Sequence, residues 1–175
     1  MTAPRVHGQG NFAARGAVFA AAASLAACAT APAPPPGRAA GGTMAPYQVH
    51  GVWYRPHDQP GYDAVGIATW YGAQYHNRHT ADGEVFDMDR PSGAHTTLPI
   101  PCLVEVTNLE NGRRLRLRIN DRGPFTPGRI LDVSREGARE LGFYEKGVAR
   151  VRVRYLGPAS LAAGPVETAA FDAPR

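Results

Sequence analysis

The sequence predicts an all-β fold, a small barrel built from short strands. Apolar and polar residues alternate with a period of two in several short runs, which is typical of strands with one face in a core. The 20 Gly and 16 Pro among 175 residues indicate many turns. Only one short segment has helical character. Many short strands with a single brief helix favour a small β-barrel in one domain.

The chain opens with a segment typical of export. Arg5 and Arg15 accompany an apolar run, Gly16–Ala27, that is too short to span a bilayer. The run ends in Leu-Ala-Ala-Cys, which resembles the lipobox at which bacterial lipoproteins are cleaved. We expect residues 1–27 to be a lipoprotein signal peptide and Cys28 to carry the lipid. Plain secretory cleavage is the alternative.

Lipidation would hold the mature protein in the cell envelope by acyl chains rather than by a spanning helix. Ala29 follows the cysteine, and a residue other than Asp there fits Gram-negative sorting to the outer membrane. Residues 28–61 are expected to form a lipidated tether and then an arm with aromatic side chains, which packs on the domain or reaches a partner. The folded domain is expected over 62–157, and the tail 158–175 is expected to be disordered.

Charge and cysteine content exclude several classes of function. The formal net charge of +4 falls by two when residues 1–27 are removed, which is too small to favour nucleic acid. Cys102 is the second of two cysteines, so we expect no disulfide and interpret it as a small apolar filler. His76 and His79 suggest a metal but lack a third ligand, so neither a metal site nor a cofactor is expected.

The first half of the domain contains three predicted strands. Val65–Tyr71 is the first of them, and a loop punctuated by glycine follows. Leu103–Asn108 and Leu115–Asn120 form a hairpin, because Asn111-Gly112 between them is the strongest turn in the sequence.

A helix and a final strand are predicted in the second half. Ser134 is expected to cap a helix over Arg135–Leu141, which ends at Gly142. The last strand is Val148–Leu156, with apolar residues toward the core. Its arginines are interpreted as a solvated face: Arg150, Arg152 and Arg154.

A carboxylate stands where a strand gives way to a tight turn. Asp121 follows Leu115–Asn120 and precedes Gly123-Pro124, and the chain resumes as a strand at Ile130–Val133. A fixed position beside a loop suits a catalytic acid. Asp also commonly starts turns, and this segment alone favours that role.

Polar groups concentrate in three segments at junctions between loops and strands: 80–87, 93–99 and 120–125. Cleavage of a glycosidic bond needs a carboxylic acid of raised pKa and stabilisation of positive charge on the sugar ring. Asp121 and Glu84 are the carboxylates best placed for this chemistry. The candidate substrate-binding residues are Trp70, Tyr71, Thr80, Asn120, Arg122 and Asp132.

Each candidate has a structural alternative. Glu84 could be an ordinary exposed carboxylate after a turn, and His95 could be a hydrogen-bonded histidine of the core. Trp70 and Tyr71 could fill the core as readily as they could stack under a sugar.

Taken together, these segments resemble the rare lipoprotein A (RlpA) family. The likeness covers nearly all of 62–157 in the same order, and the lipobox agrees with it. The matching stretches are GIATWYG (66–72), TADGEVFDM (80–88), AHTTLPIP (94–101), VEVTNLENGR (104–113), INDRGPFTPGRILDVS (119–134), Gly142-Phe143 and VARVRV (148–153).

The resemblance implies a six-stranded double-psi β-barrel, related to expansins. It also implies an outer-membrane lipoprotein that faces the periplasm and acts on peptidoglycan glycan strands. It implies an endolytic lytic transglycosylase, a carbon–oxygen lyase acting on polysaccharides, that favours strands without stem peptides. Asp121 would be the catalytic acid/base, and Glu84 and His95 would be the other residues needed for activity. Asp121 would protonate the glycosidic oxygen and then accept the proton of the muramyl C6 hydroxyl, leaving a 1,6-anhydro end.

Two further hypotheses stay open. One is an expansin-like protein that binds peptidoglycan without turnover, and the other is an ordinary glycoside hydrolase. Many RlpA proteins also carry a C-terminal SPOR domain that recruits them to division sites. The tail 158–175 is short and rich in Ala, so no SPOR domain is expected, and division-site proteins remain possible partners only by another route.

Overall fold

The computed structural model describes residues 42–160 and a short strand at 170–171. The predicted signal peptide, Cys28 and most of the tail lie outside the described residues. The described part contains these elements: β1 (Tyr47–Val49), β2 (Val52–Tyr54), β3 (Asp63–Tyr71), β4 (Gly93–Ala94), β5 (Cys102–Asn108), β6 (Arg114–Asp121), β7 (Arg129–Ser134), α1 (Arg135–Glu140), β8 (Val148–Pro158) and β9 (Ala170–Phe171).

Six of these strands close into a barrel. Around the ring the order is β4, β7, β3, β8, β5 and β6, and β6 pairs with β4 again. The pairs β3–β7 and β4–β6 are parallel, and the other pairs of the ring are antiparallel. The prediction of an all-β, six-stranded barrel is therefore confirmed. Within residues 42–160, no helix has the length and apolarity that crossing a bilayer requires.

The strand that completes the ring, β4, was not predicted, because two residues are too few to show alternation. Gly93 pairs with Ile119 of β6 on one side and with Val133 of β7 on the other. A Cβ atom on Gly93 would lie 3.0 Å from the Ile119 side chain and 3.1 Å from the carbonyl oxygen of Asp132. Glycine therefore permits the close packing that closes the barrel.

The interior is filled by the alternating apolar residues. Along β5 every second residue is buried, and Val104, Leu117 and Val151 from three adjacent strands are fully buried. Each such aliphatic side chain stabilises the fold by about 1.5–3 kcal/mol. Cys102 also lies in this core, and burial raises the pKa of its thiol to about 12. It packs as the apolar filler that the sequence predicts.

The predicted helix is confirmed as α1, which ends one residue earlier than predicted. The Ser134 hydroxyl accepts a hydrogen bond from the Gly137 N–H at 3.1 Å, which satisfies one of the free donors of the first turn. Leu141 is the C-cap residue, and Gly142, which follows it, has a φ of +73°.

The arginines of β8 lie on the outer face, as predicted, and two of them are ion-paired. Arg152 binds Asp63 of β3, and Arg154 binds Glu105 of β5. Exposed pairs of this kind contribute little to stability.

Candidate functional site

The candidate site is built around Asp121, the last residue of β6. Its Oδ1 accepts hydrogen bonds from the backbone N–H groups of Arg122, at 2.8 Å, and Ala81, at 2.9 Å. Its Oδ2 accepts no hydrogen bond from the described residues, and the side chain is partly exposed. The carboxyl group is therefore fixed through one oxygen while the other is left to meet a ligand.

The surroundings of Asp121 shift its pKa upward. Burial raises the pKa of Asp121, outweighing the two backbone N–H groups that lower it, and the nearby Asp82 charge raises it further. Asp121 therefore keeps its proton at a higher pH than an ordinary aspartate does. A general acid needs this property.

Glu84 is held in the opposite state by two residues of β6. Nε of Arg118 donates to its Oε1 at 2.8 Å, and Nδ2 of Asn120 donates to its Oε2 at 2.7 Å. Burial acts to raise the pKa of Glu84, but these hydrogen bonds and the Arg118 charge outweigh it, so the pKa lies below its usual value. Glu84 is thus a fixed negative charge.

The turn that precedes Glu84 joins the two carboxylates into one site. The Asp82 N–H donates to the carbonyl oxygen of Asn120 at 3.2 Å, next to the bond between the Ala81 N–H and Asp121. The turn is therefore bound along the end of β6. This contact brings Glu84 and Asp121 to the same end of that strand.

Asp82 and Arg118 belong to this site, although the sequence analysis did not single them out. The Asp82 side chain is fully covered and lies 3.8 Å from the Arg118 guanidinium. Its Oδ1 accepts hydrogen bonds from the Thr80 hydroxyl, at 2.7 Å, and from the Glu84 N–H. Arg118 alternates with the apolar residues of β6, yet it is only 6% exposed. Two carboxylates in one turn were the available signal, since they need a cation nearby.

His95 meets Asp121 through the backbone and not through its ring. The His95 N–H donates to the Asp121 carbonyl oxygen at 3.1 Å, and the residue is 2% exposed. Nδ1 accepts from the N–H groups of Thr97, at 3.1 Å, and Leu98, at 3.0 Å. Nε2 therefore carries the proton and donates to the Tyr62 hydroxyl at 2.9 Å. Because both ring nitrogens are engaged, the geometry suits a positioning role, and a direct part in the chemistry stays a prediction.

Acid should destabilise the domain through His95. Burial, and to a smaller extent the Arg122 charge, lowers the pKa of His95 to about 4, whereas an unfolded histidine titrates near ~6.5. The unfolded chain therefore binds more protons between these values. The free energy of unfolding should fall by up to about 3 kcal/mol from this group as the pH drops from 7 to 4.

Urea unfolding measured across this pH range tests that expectation. His95→Gln should flatten the dependence on pH, whereas His57→Gln, at an exposed position of the arm, should leave it unchanged. An unaltered slope in His95→Gln would contradict the assignment.

Arg122, the residue after the candidate acid, binds backbone carbonyls rather than a carboxylate. Nη1 donates to the carbonyl oxygens of His95, at 3.1 Å, and Leu98, at 2.6 Å. Nη2 donates to the carbonyl oxygen of Thr43 at 2.5 Å, and the guanidinium carbon lies 5.7 Å from the centre of the Tyr47 ring. Arg122 thus ties the site to the segment around His95 and to the N-terminal arm.

The remaining predicted ligand-binding residues are differently placed. Asp132 of β7 accepts a hydrogen bond from the Thr69 hydroxyl at 2.6 Å and pairs with Arg129. Trp70 donates to the Tyr144 carbonyl oxygen and packs against the core. Tyr71 is 9% exposed, and its ring stacks on that of Phe86 with centres 4.4 Å apart. Thr80 and Asn120 are buried at the turn. Sugar contacts by these residues stay a prediction.

No group of three or more metal-ligating side chains occurs among the residues that the structure describes. His76 accepts a hydrogen bond from the Met88 N–H through Nδ1, and His79 contacts the Gly83 carbonyl oxygen through Nδ1. The two histidines therefore take part in holding their own loop.

The sequence is similar to that of known cell-wall enzymes. A model of a double-psi β-barrel family described as lytic transglycolase matches residues 63–153. An endolytic peptidoglycan transglycosylase RlpA of Pseudomonas aeruginosa is 46% identical over 114 residues, which is 65% of this chain and 33% of that protein. The RlpA of Neisseria meningitidis is 45% identical over 64% of this chain and 47% of that protein, and the RlpA of Rickettsia bellii is 42% identical over 63% and 50%. The chain spans between a third and a half of the length of these relatives.

Solved structures with some likeness include two further proteins. Streptomyces papain inhibitor has a TM-score of 0.47 at 23% identity, covering 57% of this chain and 99% of that chain. An expansin of Clavibacter michiganensis in complex with cellohexaose has a TM-score of 0.43 at 20% identity, covering 59% and 54%.

Proposed function

Because the chain belongs to the RlpA family of lytic transglycolases and folds as a double-psi β-barrel, we propose that its barrel is an endolytic peptidoglycan transglycosylase. It cleaves the MurNAc–GlcNAc bond without consuming water and leaves 1,6-anhydro-muramyl ends. Its substrates are glycan strands, with a preference for strands that lack stem peptides.

The observation that carries this proposal is that the pKa values of two carboxyl groups at one end of β6 are shifted in opposite directions. The pKa of Asp121 is raised mainly by burial, whereas that of Glu84 is lowered by Arg118 and Asn120 despite burial. A pair separated in this way supplies an acid and a permanent negative charge at the same pH. Glycosidic cleavage requires both, since the leaving oxygen needs a proton while the sugar ring becomes positive.

The proposed reaction uses Oδ2 of Asp121, the oxygen that accepts no hydrogen bond from the described residues. As the bond between C1 and the leaving oxygen breaks, the Asp121 carboxyl delivers its proton to that oxygen. The C6 hydroxyl oxygen of the same muramyl residue bonds to C1, and its proton passes to the Asp121 carboxylate. The acid is thereby restored, and no water enters the products. Glu84 stays ionised throughout and stabilises the positive charge near C1.

Digestion of peptide-stripped glycan strands, followed by mass spectrometry, tests the proposal. The expected products carry anhydro-muramyl ends. Products with reducing ends would indicate an ordinary hydrolase instead. Strands that bind the protein and remain uncut would indicate an expansin-like binding protein, and either result would overturn the proposed activity.

The location follows as a separate proposal that rests on the sequence of the N-terminus. We propose that Cys28 bears the acyl chains and that the barrel faces the periplasm from the outer membrane. Labelled palmitate should enter the wild-type protein in cells and should be absent from Cys28→Ser. Equal labelling of both would exclude this anchor.

A further inference from the structure

The arm before the barrel carries aromatic side chains that no part of the proposed mechanism uses. Strands β1 and β2 form an antiparallel hairpin in which Tyr47 pairs with Tyr54 and Gln48 with Trp53. The hairpin lies outside residues 63–153, which the family model matches. Its position against the candidate site therefore needs an account of its own.

One face of this hairpin packs on the loop that follows Asp121. The rings of Tyr47 and Tyr54 stack with centres 5.2 Å apart and an interplanar angle of 17°. Phe125 lies 6.2 Å from the Tyr47 ring and 5.4 Å from the Tyr54 ring. All three side chains are only partly buried. The guanidinium of Arg122, the residue next to Asp121, lies over the Tyr47 ring, and the Asp121 charge is close enough to act on the pKa of Tyr47. The three rings therefore form an aromatic wall near the candidate acid.

Polar contacts hold the arm at this place. The Tyr47 hydroxyl donates to the Thr96 carbonyl oxygen at 2.8 Å, and Nε2 of Gln59 donates to the Thr97 carbonyl oxygen at 3.0 Å. Arg122 also binds the arm, since it donates to the Thr43 carbonyl oxygen and lies over the Tyr47 ring. The arm is therefore bound both to the segment that follows His95 and to Arg122, the residue after Asp121.

The other face of the hairpin has a different character. Trp53 points away from the stacked pair and is 60% exposed, with no ring partner among the described residues. The hairpin thus offers one aromatic face at the site and a second, separate aromatic residue away from it. This asymmetry allows a test with a matched control.

We propose that the arm is part of the substrate site, and that Tyr47, Tyr54 and Phe125 form a wall against which a pyranose ring of the glycan strand stacks next to the cleaved bond. The apolar C–H face of a sugar ring matches the face of an aromatic side chain, and polar groups beside such a wall fix the orientation of the ring. The inference rests on the proposed function for the identity of the ligand. It adds a binding element that precedes the matched family domain.

Binding of peptide-stripped glycan strands to full-length Asp121→Asn protein tests the proposal, because this parent should bind without cleaving. Tyr54→Ala should weaken binding by about five- to tenfold. Tyr54→Phe keeps the ring and should bind within about twofold of the parent. Trp53→Ala, on the opposite face of the same hairpin, should also bind within that range.

Thermal melting of each variant shows whether the arm remains folded, and Tyr54→Leu supplies a second variant that keeps apolar volume but lacks a ring. Unchanged binding by Tyr54→Ala would overturn the proposal, and so would an equal loss in Trp53→Ala. Failure of the proposed function would look different. In that case the wild-type protein would release no anhydro ends, even though Tyr54→Ala still weakened binding.

Discussion

The Asp121→Asn variant is expected to lose release of anhydro ends by about a thousandfold while keeping its fold. The amide oxygen can still accept the hydrogen bonds from Ala81 and Arg122, but the side chain can no longer deliver a proton. The free energy of unfolding at pH 7 should stay level or rise. The folded-state pKa of Asp121 is raised, so its stabilising contribution is lost as the pH rises and the buried carboxyl ionises.

Single-turnover digestion of peptide-stripped strands, with urea unfolding of the same preparations, measures both effects. Asp63→Asn is the matched control, because Asp63 is an exposed carboxylate of the barrel that pairs with Arg152. It should cleave at the wild-type rate. Substantial cleavage by Asp121→Asn would remove Asp121 from the role of acid.

The Glu84→Ala variant should lose stability as well as activity. The Arg118 side chain is 7% exposed and would keep its charge without its closest carboxylate, leaving only Asp82 at 3.8 Å. Because Glu84 itself is partly exposed, we expect a loss of about 2–3 kcal/mol, somewhat less than for a fully buried pair. Activity should fall at least tenfold, since the negative charge that the proposed mechanism uses to stabilise C1 is lost.

Glu84→Gln separates the two contributions. The amide keeps the shape and can still accept a hydrogen bond from Arg118, so we expect a smaller loss, of about 1 kcal/mol, with activity still reduced. Glu110→Ala removes an exposed carboxylate that pairs with Lys146, and it should change neither quantity measurably. Full activity in Glu84→Gln would show that the charge of Glu84 is dispensable for cleavage.

Local chemistry accounts for the parts of the fold that were predicted. Apolar runs bounded by turn residues, with clear alternation in three of them, identified five of the six barrel strands. Asn111-Gly112 identified the hairpin, and Ser134 identified the start of the helix. Each signal involves residues that are close in sequence, so the chain itself carries it. The burial of Cys102 was predicted from the same kind of local signal, because a small apolar residue next to an alternating strand favours the core.

Contacts between distant segments produced the features that were missed. Gly93–Ala94 became a strand only because β6 and β7 present hydrogen-bonding edges on both of its sides. The arm's role was left open, and its packing depends on a contact between Arg122 and Thr43, which are 79 positions apart. His95 was proposed both as a catalytic residue and as a core histidine, and only its neighbours show that both ring nitrogens are engaged.

By itself, the sequence determined that the chain forms a small barrel and that Asp121 ends one of its strands. Only the tertiary structure decided the electrostatic states of the site. Arg118 is 34 positions from Glu84, and the Ala81 N–H is 40 positions from Asp121. The pKa of a carboxyl group depends on burial and on the charges within a few ångströms, which only the closed barrel and its covering turn bring together.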